Sequence, residues 1–138
     1  MAVTFQICID CADPGRLARF WADALGYEIE PPPEGFATWD DYWRDVGLPE
    51  DERGTGADSI TDPAGRGPRI VFHIVPEGKA VKNRVHLDIA PFADGDQAVA
   101  VAELQAAGAS IADIGQGAVR WQVMTDPEGN EFCVLTPR

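Results

Sequence analysis

Histidine and cysteine are scarce in this chain of 138 residues, with 2 and 3 respectively. An odd handful of thiols does not build a disulfide framework, so a reducing compartment is expected. Cations are also few. Lys+Arg 11 against Asp+Glu 23 leaves a net charge of -12, a field that repels phosphate backbones and anionic headgroups and argues against nucleic acid or a membrane as partner. The opening MAVTFQICID has no basic stretch before its short apolar run, and nowhere do about 18 apolar residues stand together. Neither a signal peptide nor a membrane span is expected, and a cytoplasmic protein is. Gly54-Thr55-Gly56 lacks the lysine and preceding strand of a phosphate loop, and no Ser-His-Asp order stands out.

What is present is the composition of a turn-rich globular protein, 45% apolar with Gly 14 and Pro 11. Phe5 to Ile9 alternates like a strand and runs into Asp13-Pro14, a helix cap with proline at the first turn. Leu17, Phe20, Trp21, Ala24 and Leu25 then make one apolar stripe that stops at Gly26, predicting a helix near 14–25. The pattern returns. Arg84 to Ala90 alternates, with Val85, Leu87 and Ile89 on one face and His86 and Asp88 on the other, and a helix is expected near 95–107 before Gly108. Asp62-Pro63-Ala64-Gly65 likewise recurs as Asp126-Pro127-Glu128-Gly129, each before an apolar strand. The economical reading is an α+β fold of two βαβββ modules, about 3–78 and 79–138, within a single domain 1–138. Their sheets would form one cupped mixed sheet with the helices on the convex side, and polar residues would line the cup.

Four local features are ambiguous on spacing alone. Cys8 and Cys11 form a Cys-x-x-Cys, but Cys8 lies inside a strand, so two unrelated small buried residues is the favoured reading over a redox or zinc pair. In the long connection from Pro31 to Ser59, Trp39, Tyr42 and Trp43 would share one face of a short helix, which serves equally as an edge cover or a ligand-contacting lid. Trp121 stacks on a ligand or fills the core, core being the commoner role. Lys79, Lys82 and Arg84 form a small basic cluster suited to an anionic group, or to salt bridges along a solvated connection.

The strand-Asp-Pro-helix start, the run Lys79 to Asp88 and the run Asp126 to Cys133 together resemble the vicinal oxygen chelate superfamily. The narrower resemblance is to its glyoxalase-like branch, grouped with glyoxalase, bleomycin resistance protein and extradiol dioxygenase. In metal-using members, the resemblance implies, a divalent ion (zinc, nickel, iron or manganese) is held by the first and last strands of each half. Carried over, this selects Gln6, seven residues before Asp13, with His86 in the second half, Cys133 where the family has a glutamate, and His73 as its first-half partner. Glu131, two residues before Cys133 on the same face, stands in reserve as a ligand and would be the nearest carboxylate for a catalytic base, with Trp39, Trp43 and Trp121 as the candidate substrate contacts. Two function classes follow from the resemblance: a metal-dependent lyase, isomerase or dioxygenase acting on a small molecule, or a metal-free small-molecule or antibiotic-binding protein of the resistance type. Such proteins often pair as homodimers.

Overall fold

The computed structural model describes all residues 1–138, and the chain divides into two compact units, Met1–Pro76 and Glu77–Arg138. In the first, β1 (Ile7–Cys11) leads into α1 (Pro14–Leu25), followed by β2 (Glu28–Ile29), the short helix α2 (Trp39–Asp45), a single 3-10 turn at Glu50–Glu52, β3 (Ser59–Thr61) and β4 (Ile70–Ile74). The strands stand in the order β1-β4-β3-β2, with β1 parallel to β4 and the other pairs antiparallel. The second unit repeats this plan. Its strands are β5 (Asp88–Ile89), β6 (Ser110–Ile111), β7 (Gln122–Thr125) and β8 (Glu131–Val134), ordered β5-β8-β7-β6, with α3 (Gln97–Ala107) as the crossover after β5. Both units are therefore βαβββ modules, as the repeat predicted.

Capping chemistry sets the helix starts. The Asp13 carboxylate accepts from the Arg16 amide at 3.2 Å, Pro14 occupies the first turn, and Gly26 closes α1 at φ 67. Asp96 caps α3 through the Val99 amide at 3.0 Å. The two helices then bury unequal faces: α1 inserts Leu17, Ala18, Phe20 and Trp21 among core residues that include Ile60, Ile70 and Phe72, whereas α3 buries only Leu104. The rest of the second module's core is supplied by its strands, through Val123, Met124, Phe132 and Val134.

The two Asp-Pro-x-Gly turns are built alike. One oxygen of Asp62 accepts from Ala64 at 2.8 Å and the other from Arg66 and Gly67 at 3.0 and 2.9 Å, while Asp126 accepts from the amides of Glu128 and Asn130 at 2.9 and 3.0 Å. Gly65 and Gly129 both carry positive φ, 67 and 88, which explains glycine at the fourth position. Donors from the Ala64 and Gly67 amides hold the Asp62 carboxyl below its ordinary value.

Three expectations need correction. The strand expected over 84–90 pairs regularly only at Asp88–Ile89; the Asn83 amide is captured by the Glu131 carboxylate, and Val85, expected inward, is 86% exposed. Cys8 and Cys11, expected both buried, lie an odd number of residues apart on one strand and so face opposite ways, Cys11 buried and Cys8 exposed. Trp121, favoured as core, lies just before β7 and is 44% exposed.

Truncating Phe132→Ala should cost about 3–5 kcal/mol in urea unfolding, against less than about 0.5 kcal/mol for the exposed Val81→Ala. Asp62 also gives a sign for acid stability. Because its folded pKa is depressed, its contribution is present above the ordinary carboxylate value near 3.8 and is lost as pH falls through the lower folded value. Asp62→Asn should thus be less stable near neutrality and lose less stability on acidification, measured by thermal unfolding across pH 2–7.

Candidate metal centre

Parallel pairing of the first and last strands creates the polar face of each module. In the second, Asp88 stands opposite Cys133 in the β5–β8 register, Glu131 projects from that same face two residues earlier on β8, and His86 lies in the irregular stretch just before β5. His86 Nδ1 lies 2.9 Å from Asp88 Oδ1. One ligating atom from each of His86, Asp88 and Cys133 falls within 4.8 Å of the others. Sequence reasoning placed His86 and Cys133 in a ligand set but missed Asp88. Its signal was the alternation that put Asp88 beside His86; what identifies it as a donor is the register that sets it against Cys133.

The electrostatics of the trio suit a cation. Burial raises the Cys133 thiol, as do the Asp88 charge and the hydrogen bond to it, while the Lys82 charge works the other way. A carboxylate facing His86 Nδ1 favours the tautomer with its proton there and leaves Nε2 with a lone pair. Imidazole nitrogen, thiolate sulfur and carboxylate oxygen form a donor set that suits zinc or another borderline ion, with a position left for a substrate oxygen. Two negative donors also neutralise a dication, which a set of neutral ligands cannot do in a partly desolvated place. The residues present therefore fit a divalent metal.

Glu131 is engaged elsewhere. Its carboxylate accepts from Lys79 Nζ at 3.1 Å and from the Asn83 amide at 3.0 Å. Burial alone would raise its pKa, but the Asn83 amide, its own amide and Lys79 together hold it below the ordinary value. Lys79 also donates to Val81 O, and Asn83 Nδ2 to Asn130 at 3.4 Å, so the segment three to seven residues before His86 is tied to β8.

In the first module, β1 and β4 put Asp10 opposite His73, with Cys8 and, beyond it, Gln6 on that face. His73 is exposed. Gln6 Oε1 accepts from Arg69 Nη1 at 3.2 Å, and Arg69 Nε also pairs with Glu30. The aromatic helix forms as expected: Trp39 and Trp43 stack at 5.6 Å, Tyr42 meets Trp39 edge-on at 5.9 Å, and Phe36 meets Tyr42 at 5.3 Å. Trp39 Nε1 donates to Glu30 O at 2.9 Å, and Thr38 caps the helix through the Asp41 amide. All four rings are half-buried.

Comparison with known proteins gives one family and one fold. Residues 6–135 match the model of the glyoxalase-like domain family. No curated protein matches the chain. Among solved structures, a glyoxalase/bleomycin resistance protein/dioxygenase family enzyme from Burkholderia phytofirmans PsJN is similar at 15% identity and TM-score 0.60, over 96% of this chain and 97% of that one. A fosfomycin resistance protein from Mesorhizobium loti is similar at 11% identity and TM-score 0.62, over 100% and 94%. The oxidase ChaP-H2 is similar at 18% identity and TM-score 0.59, over 100% and 96%.

Glu131→Ala should release the segment around Asn83. The expected outcome is a loss of about 1–2 kcal/mol in urea unfolding, with faster hydrogen exchange at the Asn83 amide than in the wild type.

Proposed function

The chain belongs to the glyoxalase-like domain family, and from that premise we propose that it is a metal-dependent enzyme acting on a small molecule with neighbouring oxygens, its divalent ion held by His86, Asp88 and Cys133. The observation that carries this reading is the convergence of those three donors within 4.8 Å. Bound there, zinc, nickel, iron or manganese would supply Lewis acidity to a developing enolate or oxyanion, which is chemistry of the lyase, isomerase or dioxygenase kind. The chain's own groups divide the remaining work. Asp88 orients the His86 ring, and Cys133 contributes thiolate charge where relatives in the superfamily carry a glutamate. Glu131 is the carboxylate two residues along from Cys133, and to serve as a base it must first leave Lys79 and the Asn83 amide. Trp39, Trp43 and Trp121 offer aromatic faces for substrate.

A second reading, a metal-free protein that binds a small molecule or antibiotic, draws on a separate observation. The Cys133 thiol is raised by burial and by Asp88, so without an ion it stays protonated and the face is simply polar. No helix is long and apolar enough to cross a membrane. The free thiols suit the cytoplasm, and the exposed Val85 and Phe92, 86% and 83%, suit a homodimer contact.

Metal titration by calorimetry separates the two readings. Zinc should bind the wild type tightly, and His86→Ala, Asp88→Asn and Cys133→Ser should each weaken that tight phase by at least about tenfold. If all three variants bind zinc as the wild type does, the metal-dependent reading fails and the binding protein stands.

A further inference from the structure

We propose that Lys82 and Arg84 make the metal face of the second module selective for a small acid, whose neighbouring oxygens meet the ion while a separate carboxylate meets the two cations. The inference deepens the metal-dependent reading and rests on it. Behind it is a charge balance. Asp88 and a thiolate at Cys133 offset the two charges of a divalent ion, and neutral His86 adds none. Lys82 and Arg84, four and two residues before His86, then remain with no carboxylate partner. A loaded face is therefore locally positive in a chain whose net charge is -12.

The stretch that carries these cations is stitched to β8 at two points. The Asn83 amide donates to the Glu131 carboxylate at 3.0 Å, and the Cys133 amide donates to Leu87 O at 3.0 Å. Lys82 and Arg84 flank the first stitch, and His86 immediately precedes the second. Both cations are thus held next to the donors by a tethered segment. Lys82 is near enough to be felt there: burial and Asp88 raise the Cys133 thiol, and the Lys82 charge works against them.

The chain has only two lysines, Lys79 and Lys82, and they are used differently. Lys79 Nζ is committed to structure, paired with Glu131 at 3.1 Å and donating to Val81 O. Lys82 Nζ donates to the Asn83 carbonyl at 3.0 Å, a neutral contact that leaves its charge uncompensated. Arg84 is exposed. Carboxylates are abundant in this chain, and Arg44, Arg53 and Arg69 of the first module each hold one. Two unpaired cations beside three gathered donors therefore make a place for an anion brought from outside. Lysine supplies a mobile point charge, and arginine a planar fork that takes a carboxylate through two parallel bonds. A neutral molecule with the same neighbouring oxygens would gain the ion alone.

Titration of the full-length, cobalt(II)-saturated protein with two hydroxamates tests the proposal, since each chelates an ion through neighbouring oxygens. One is the monohydroxamate of succinic acid, with a free carboxylate tail, and the other is the primary amide of the same shape. Cobalt absorbance reports the binding of both. The wild type should bind the acid about three- to tenfold more tightly than the amide, and the preference should shrink as salt is raised, because both cations are exposed. Lys82→Gln together with Arg84→Gln should bring the ratio of affinities close to one, and Lys82→Arg should keep it. Thermal unfolding and cobalt uptake check that each variant is folded and loaded. Equal binding of the two hydroxamates by the wild type overturns the proposal, as does a preference that survives the paired substitution. Failure of the metal-dependent reading looks different, since the wild type would then take up no cobalt at the second module and neither hydroxamate would change a spectrum; the proposal would fall with it.

Discussion

The proposed chemistry of this chain depends on one backbone constraint, the parallel pairing of the first and last strands of each module. Parallel neighbours cannot be joined by a tight turn, so each module needs a helical crossover and two further strands before the chain can return beside its start. That return brings Asp88, near residue 90, against Cys133, near the end of the chain, and Asp10 against His73. A slip of one residue in either pair would send every donor to the opposite face of the sheet.

Everything that fixes the register therefore serves the candidate site. In the first module the fixing is hydrophobic, with α1 laying a full apolar stripe on β3 and β4 so that Ile70 and Phe72 point inward and His73 outward. In the second, α3 contributes a single buried leucine, and polar devices take over: the Asp126 turn that aims β8, and the Glu131 carboxylate that gathers Lys79 and Asn83 ahead of His86. A carboxylate with its pKa held down by backbone and lysine donors is a strong tether and a weak base. On that ground Glu131 does its clearest work as the anchor of the irregular segment that leads to His86.

Much of this was legible in sequence because the signals were local. Asp13-Pro14 and Gly26 bracket α1 at its observed ends, and the repeated Asp-Pro-x-Gly marked both hairpins. The stacked Trp39 and Trp43 followed from a spacing of four. What stayed hidden was pairwise. Alternation says that His86 and Asp88 share a face but not which residue of a distant strand stands beside them, so Asp88 went unassigned and Gln6 was chosen by its distance from Asp13. Arg69 takes up Gln6 through a contact 63 residues away in sequence, which no local pattern announces. Trp121 and Val85 misled for a related reason, since hydrophobicity predicts burial only where the fold brings something to pack against.

The central claim is that the face built by β5 and β8 holds a metal through nitrogen, sulfur and oxygen at once. X-ray absorption of the protein loaded with substoichiometric zinc reads that shell directly. The account predicts one sulfur neighbour at about 2.3 Å together with nitrogen and oxygen neighbours at about 2.0–2.2 Å, the sulfur disappearing in Cys133→Ser. A shell of nitrogen and oxygen alone in the wild type, unchanged in Cys133→Ser, would contradict it.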